Sequence, residues 1–197
     1  MIGALPETLT VGGANYPIRT DYRNVLQIFE AFQDPELTQN EKWIVAIYMM
    51  FEDFFCADDV LQAAQDGFNI EEAMRQINWF ISAGNVQEKE TELPVYDWVH
   101  DEQMIFSAVN KVAGMETREL EYLHWWTFLG YFREVGEGSF SYVAGIRNKL
   151  NNHKKLDKDE REFLYKNKDM VLLKPPKTEE EQKEEDEYQA LLSEVIG

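Results

Sequence analysis

The hydrophobic positions of this chain change period twice, and those changes mark its organisation. Near the start the alternation is two-residue: Leu9 and Val11 point one way between threonines, and Tyr16 and Ile18 alternate on the return. Gly12-Gly13 between them supplies a tight turn, so residues 8–18 predict a short β-hairpin. Pro17 lacks the N–H for a ladder bond, which predicts a free edge on the return strand.

From Asp21 onward the period is helical. Asp21 is placed to cap a helix whose Val25, Ile28, Phe29 and Phe32 share one face. Thr38-Gln-Asn-Glu41 reads as a capping box opening a helix from Trp43 to Phe55. Asp58 and Asn69 are expected caps for helices over 59–66 and 70–83, the second closed by Gly84. Residues 85–96 form a polar connector containing Pro94. The second half opens near Asp97, where Trp98, Ile105, Val109 and Val112 make one stripe and Gly114 stops the helix.

The densest block is Leu120-Glu-Tyr-Leu-His-Trp-Trp-Thr-Phe-Leu-Gly-Tyr-Phe132. Read as one helix capped by Thr117, it places Tyr122, Trp125, Trp126, Leu129 and Phe132 on a broad side, with Leu120 and Tyr131 opposite. So many rings in one segment demand burial, against the core or against a partner. Gly136 and Gly138 break it, and Ser139 starts a helix through about Leu150. Beyond Asn151 the chain turns polar: Asp157-Lys-Asp-Glu160 caps a charged helix, and Pro175-Pro176 interrupts. A glutamate-rich tail then ends with Tyr188, Leu191, Leu192, Val195 and Ile196 at helical spacing. The expected fold is therefore mostly α, a single helical domain over 1–150 with an N-terminal hairpin, followed by a charged helical extension over 151–197.

Charge refines this picture. The net charge of −18 is unevenly spread: residues 1–146 carry 8 basic and 24 acidic side chains, residues 147–177 carry 10 and 5, and residues 178–197 carry 1 and 8. An acidic body argues against a nucleic-acid binder, which needs a basic footprint. The basic island reads as a solvated helix face or a dock for an acidic protein surface. Its lysines are not interleaved with stacking aromatics apart from Phe163 and Tyr165. The longest apolar run, Trp43–Phe51, falls well short of the about 20 residues a membrane span needs. The start lacks the basic and apolar regions of a secretory signal, so a soluble cytoplasmic protein is expected. The single Cys56, in an aromatic-rich stretch, is expected to be a buried structural thiol.

Catalytic signatures are sparse. Glycine-rich phosphate loops, nucleophile elbows and zinc-finger spacings are missing from the sequence. Glu121-Tyr-Leu-His124 matches the Glu-x-x-His element of di-iron bundles, with Asp97-Trp-Val-His100 a looser relative. A full site needs a second such element and two more glutamates. The competing reading makes His124 a packed, hydrogen-bonded histidine beside Phe128 and Tyr131. No metal, cofactor or catalytic residue is assigned.

Three blocks carry a resemblance. The opening Leu5-Pro-Glu-Thr-Leu-Thr-Val-Gly-Gly-Ala-Asn-Tyr-Pro-Ile-Arg-Thr-Asp-Tyr-Arg23, the block Asp101-Glu-Gln-Met-Ile-Phe-Ser-Ala-Val-Asn110 and the aromatic run Leu120–Phe132 resemble the bacteriophage gene-product-fifteen family. Gly136-Glu-Gly-Ser-Phe140, Ile146-Arg147, Lys154-Lys155-Leu156 and Phe163 extend the likeness to about residue 170. The resemblance implies a small phage tail-region protein of the host cytoplasm, non-enzymatic, acting as a tail assembly chaperone. Its implied partners are phage tail proteins, the tape measure above all, with self-association left open. A structural component of the mature tail is the first alternative, and a metal-dependent helical-bundle enzyme the second. Expected partner contacts are Trp98, Trp125, Trp126 and Phe132 where exposed, with Tyr188, Leu191, Leu192 and Val195 of the tail as a second element.

Overall fold

A computed structural model describes residues 3–85 and 93–173. The expected tail contacts Tyr188, Leu191, Leu192 and Val195 lie outside the described residues. Strands β1 (Thr8–Val11) and β2 (Ala14–Pro17) form the hairpin, with Leu9 opposite Tyr16. Gly12 and Gly13 both take positive φ, 59° and 79°, the geometry a two-residue turn between twisted strands requires. Leu9 and Val11 are buried while their threonine neighbours stay largely outside, and the turn is held by the Gly12 N–H donating to Glu72 at 2.8 Å.

The return strand does not keep the free edge expected from Pro17. The Pro17 carbonyl accepts from the Glu52 N–H at 3.0 Å, Ile18 pairs with Phe51, and the Arg19 N–H donates to Met50. Proline removes a donor and leaves its acceptor intact, and that acceptor is what the chain uses. Four residues later the same extended string pairs again. Asp21 bridges to His124, the Tyr22 N–H donates to Leu123 at 3.0 Å, and the Trp125 N–H donates to Thr20 at 2.8 Å.

Helix α1 (Tyr22–Gln33) is capped by Asp21, whose carboxylate accepts from the Arg23 N–H. Helix α2 (Gln39–Met50) opens with the Thr38/Glu41 capping box. It ends about five residues short of Phe55, because the Arg19 guanidinium gathers the carbonyls of Tyr48, Phe51 and Phe54 and turns the chain out of the helix. Helix α3 (Ala57–Gln65) has Cys56 at its N-cap, and the Asp59 carboxylate takes the N–H groups of Phe55 and Cys56. Asp58 therefore lies inside the helix, and Cys56 is exposed, which corrects the expected buried thiol. Helix α4 (Ile70–Ile81) begins at the Asn69 cap and closes through Gly84, at φ 79°, whose N–H reaches back to Trp79.

Helix α5 (Glu102–Ala113) starts later than Asp97, since the Asp97 carboxylate binds the N–H groups of Val99 and His100 in a local turn. Trp98 therefore sits before the helix. The aromatic run is not one helix. A 3₁₀ turn over Thr117–Glu119 leads into an extended stretch, and helix α6 covers only Trp125–Arg133. Thr117 caps nothing; it is buried and bonded to Asn110 through both its N–H and hydroxyl. Residues 120–124 stay extended because Asp21 accepts the Leu123 N–H and Arg23 donates to the carbonyls of Arg118 and Leu120. These contacts from α1 override the helical pattern.

Helix α7 (Ser139–Asn151) is followed by α8 (Lys158–Lys166), opened by the Asp157/Glu160 capping box, and α9 (Lys168–Val171). The last two do not float. Val171 is buried, and Arg147, itself buried on α7, donates to the carbonyls of Val95, Met170 and Val171 while clasping both oxygens of Asp101. The fold is mostly α with one antiparallel hairpin. Among the described residues no helix is long and apolar enough to cross a membrane.

Candidate functional site

Rings pack the middle of the molecule, and they decide which expected contacts reach its surface. Trp125 has 1% of its surface exposed, and its indole N–H donates to the Ile81 carbonyl at 2.8 Å. It stacks on Phe128 and meets Phe29 and Trp98 edge-on, all with ring centroids within 6 Å. Trp125 is core and offers a partner nothing, because freeing its ring would open a cavity and strand a buried acceptor. Trp126 is half-buried, its indole N–H bonded to the Phe80 carbonyl, with Trp79 packed edge-on. Phe132 is half-buried between Tyr96, Trp98 and Phe140. Trp98 is half-buried on Phe29 and edges an opening of about 370 Å³ between α1 and α5. The structure thus gathers Trp98, Trp125 and Phe132 into one cluster and leaves Trp126 on the α4 side of it.

The Glu121/His124 pair is not a helical element. Glu121 is exposed in the extended stretch, and His124 is the buried N-cap of α6. His124 Nδ1 accepts from the Trp126 N–H at 3.0 Å, which leaves the proton on Nε2 to donate to the Pro6 carbonyl at 3.1 Å. Both ring nitrogens are used. Its ring neighbours are Phe80 and Trp126, in place of the expected Phe128 and Tyr131. Among the described residues no three His, Cys, Asp or Glu side chains are grouped to hold a metal.

What the structure offers instead is a groove beside α5. That helix buries Ile105, Phe106 and Val109 against α6 and carries Met104, Ala108 and Val112 along a neighbouring strip at four-residue spacing, the first two half-buried and Val112 exposed. The facing wall is the link from α6 to α7. There α6 ends at Arg133, Val135 tucks inward, Gly136 and Gly138 flank the exposed Glu137, and the Ser141 hydroxyl pins the Gly136 carbonyl at 2.6 Å. Between them lies an opening of about 650 Å³ floored by Phe140. Neither Gly136 nor Gly138 takes a left-handed φ, Gly138 being fully extended, and a methyl added at either would meet no atom within 4 Å. Lys111 reaches across from α5 to the Glu137 carbonyl at 3.3 Å, and Glu134 and Glu137 stand exposed on the opposite rim.

A sequence reading that follows one stripe per helix passes this groove by. The spacing predicts Val112 on one stripe with Trp98, Ile105 and Val109, but it lies with Met104 and Ala108 on a neighbouring strip. The available signal was that α5 is apolar over more than one face, as a helix with two partners is.

The family model described as bacteriophage Gp15 protein matches residues 1–173. The chain belongs to that family. The match to the Gp15 family spans the hairpin, the aromatic cluster, the α5 groove and the helices clasped by Arg147, and it stops where the described residues stop. No curated protein and no solved structure matches the chain.

Proposed function

We propose that this phage protein is a non-enzymatic tail assembly chaperone, which binds an aggregation-prone tail protein transiently, the tape measure first among them. The observation that supports this most is the groove beside α5. It is a recess in which Met104, Ala108, Val112, Val135 and Phe140 supply an apolar strip among Gln103, Ser107 and Lys111, on a body whose aromatic core is already satisfied internally. Methionine-lined recesses adapt to varied apolar side chains, and grooves of this kind accept the apolar face of an amphipathic helix. The acidic surface keeps such a carrier soluble while it is loaded.

The test is co-expression with the neighbouring tape-measure protein. The tape measure is expected in the soluble fraction only when this chain is present, and to co-purify with it. A tape measure that stays insoluble and unbound refutes the reading. Purified virions carrying the chain in stoichiometric amount would make it a component of the tail instead.

A further inference from the structure

The groove's rim narrows what it receives, and we propose that its occupant is a partner helix with an apolar stripe of small and medium side chains flanked by lysine or arginine. This rests on the chaperone reading for its biological setting and on the groove's own chemistry for its content. The residues lining the groove include two acidic side chains and one basic one, on a body that is itself strongly acidic. Glu134 and Glu137 are exposed on one rim against Lys111, which is itself tied across the groove.

The apolar strip Met104–Ala108–Val112 runs about 12 Å along α5, roughly two helical turns of an incoming partner. Phe140 closes the floor, and Gly136 and Gly138 add no side chain of their own to the wall on either side of Glu137. The same charges speak against the chain's own terminal segment. Residues 178–197 carry eight acids and one base, so an acidic rim repels them.

Two synthetic 18-residue helical peptides, identical in a Leu/Ala stripe and differing only in lysine or glutamate flanks, test this against the full chain by fluorescence anisotropy at low salt. The lysine peptide is expected to bind at least tenfold tighter than the glutamate peptide. Gly136→Leu, whose Cβ meets no atom within 4 Å, is expected to weaken it tenfold or more with an unchanged circular dichroism spectrum. Glu134→Lys with Glu137→Lys is expected to reverse the preference. Equal binding of both peptides, no binding, or indifference to Gly136→Leu overturns the proposal. Tape-measure capture that survives Gly136→Leu overturns the groove assignment and leaves the chaperone reading standing. Peptide binding as described with no tape-measure capture does the reverse.

Discussion

Replacing Arg147 with methionine isolates the contact on which the end of the family region depends. The substitution keeps an unbranched apolar stem and deletes the guanidinium with its N–H groups. Arg147 and Asp101 have 4% and 0% of their side-chain surface exposed, so neither finds water as a substitute partner. Without the guanidinium, Asp101 keeps the Asp97 N–H as a donor at 2.9 Å, and the carbonyls of Val95, Met170 and Val171 lose the donor that joins them. Removing one member of a buried pair costs about 3–5 kcal/mol, because the other charge stays buried and uncompensated. At about 2–4 °C per kcal/mol for a chain of this size, the melting temperature should fall by roughly 6–20 °C. Urea denaturation followed by tryptophan fluorescence measures the loss, and Asp101→Asn completes a double-mutant cycle. The double variant should be far less destabilised than the two single losses combined, with a coupling of about 2 kcal/mol or more. A loss under about 1 kcal/mol for Arg147→Met, or additivity within about 0.5 kcal/mol, would refute the assignment of this pair as a clasp.

Two further outcomes are expected. Glu116 is held down to about 2, first by its bond from Arg118 and then by Asn110, and Glu41, Asp59 and Asp157 are lowered by the hydrogen bonds of their caps. A depressed carboxylate contributes stability above its unfolded value and loses it as pH falls toward the folded one, so Glu116→Gln should flatten the thermal stability profile between about pH 4.5 and 2; an unchanged slope there would count against the Glu116 contacts. Trp125→Phe keeps an aromatic ring but leaves the Ile81 carbonyl without its indole donor, and should cost about 1–3 kcal/mol in the same urea assay, whereas a neutral result would mean Trp125 is not an internal anchor.

The parts of the fold that were legible in the sequence are those decided within a few residues. Thr38 with Glu41, Asn69, Asp157 with Glu160, and Gly114 each satisfy helix ends from their own neighbourhood, and each stands where its residue type predicts. The aromatic run was misread because its first five residues are claimed by Asp21 and Arg23, about a hundred positions away, and no local period records that claim. The early end of α2 has the same origin in Arg19. The groove was hidden for a different reason. Its far wall, residues 134–140, reads as a mere helix break, and only tertiary packing sets that break against the second strip of α5.

The extended string from Pro17 to Tyr22 has a bearing on how the protein is made. It is stitched on one side to residues 51 and 52 and on the other to residues 123–125. A ribosome delivers these pieces in order, so the first-born hairpin and α1 must wait for most of the chain to emerge before their remaining edge is sealed. Contacts so distant in sequence slow folding and leave early intermediates with open flanks. Nascent chains stalled before Leu123 should therefore be far more open to protease than those released after Arg133.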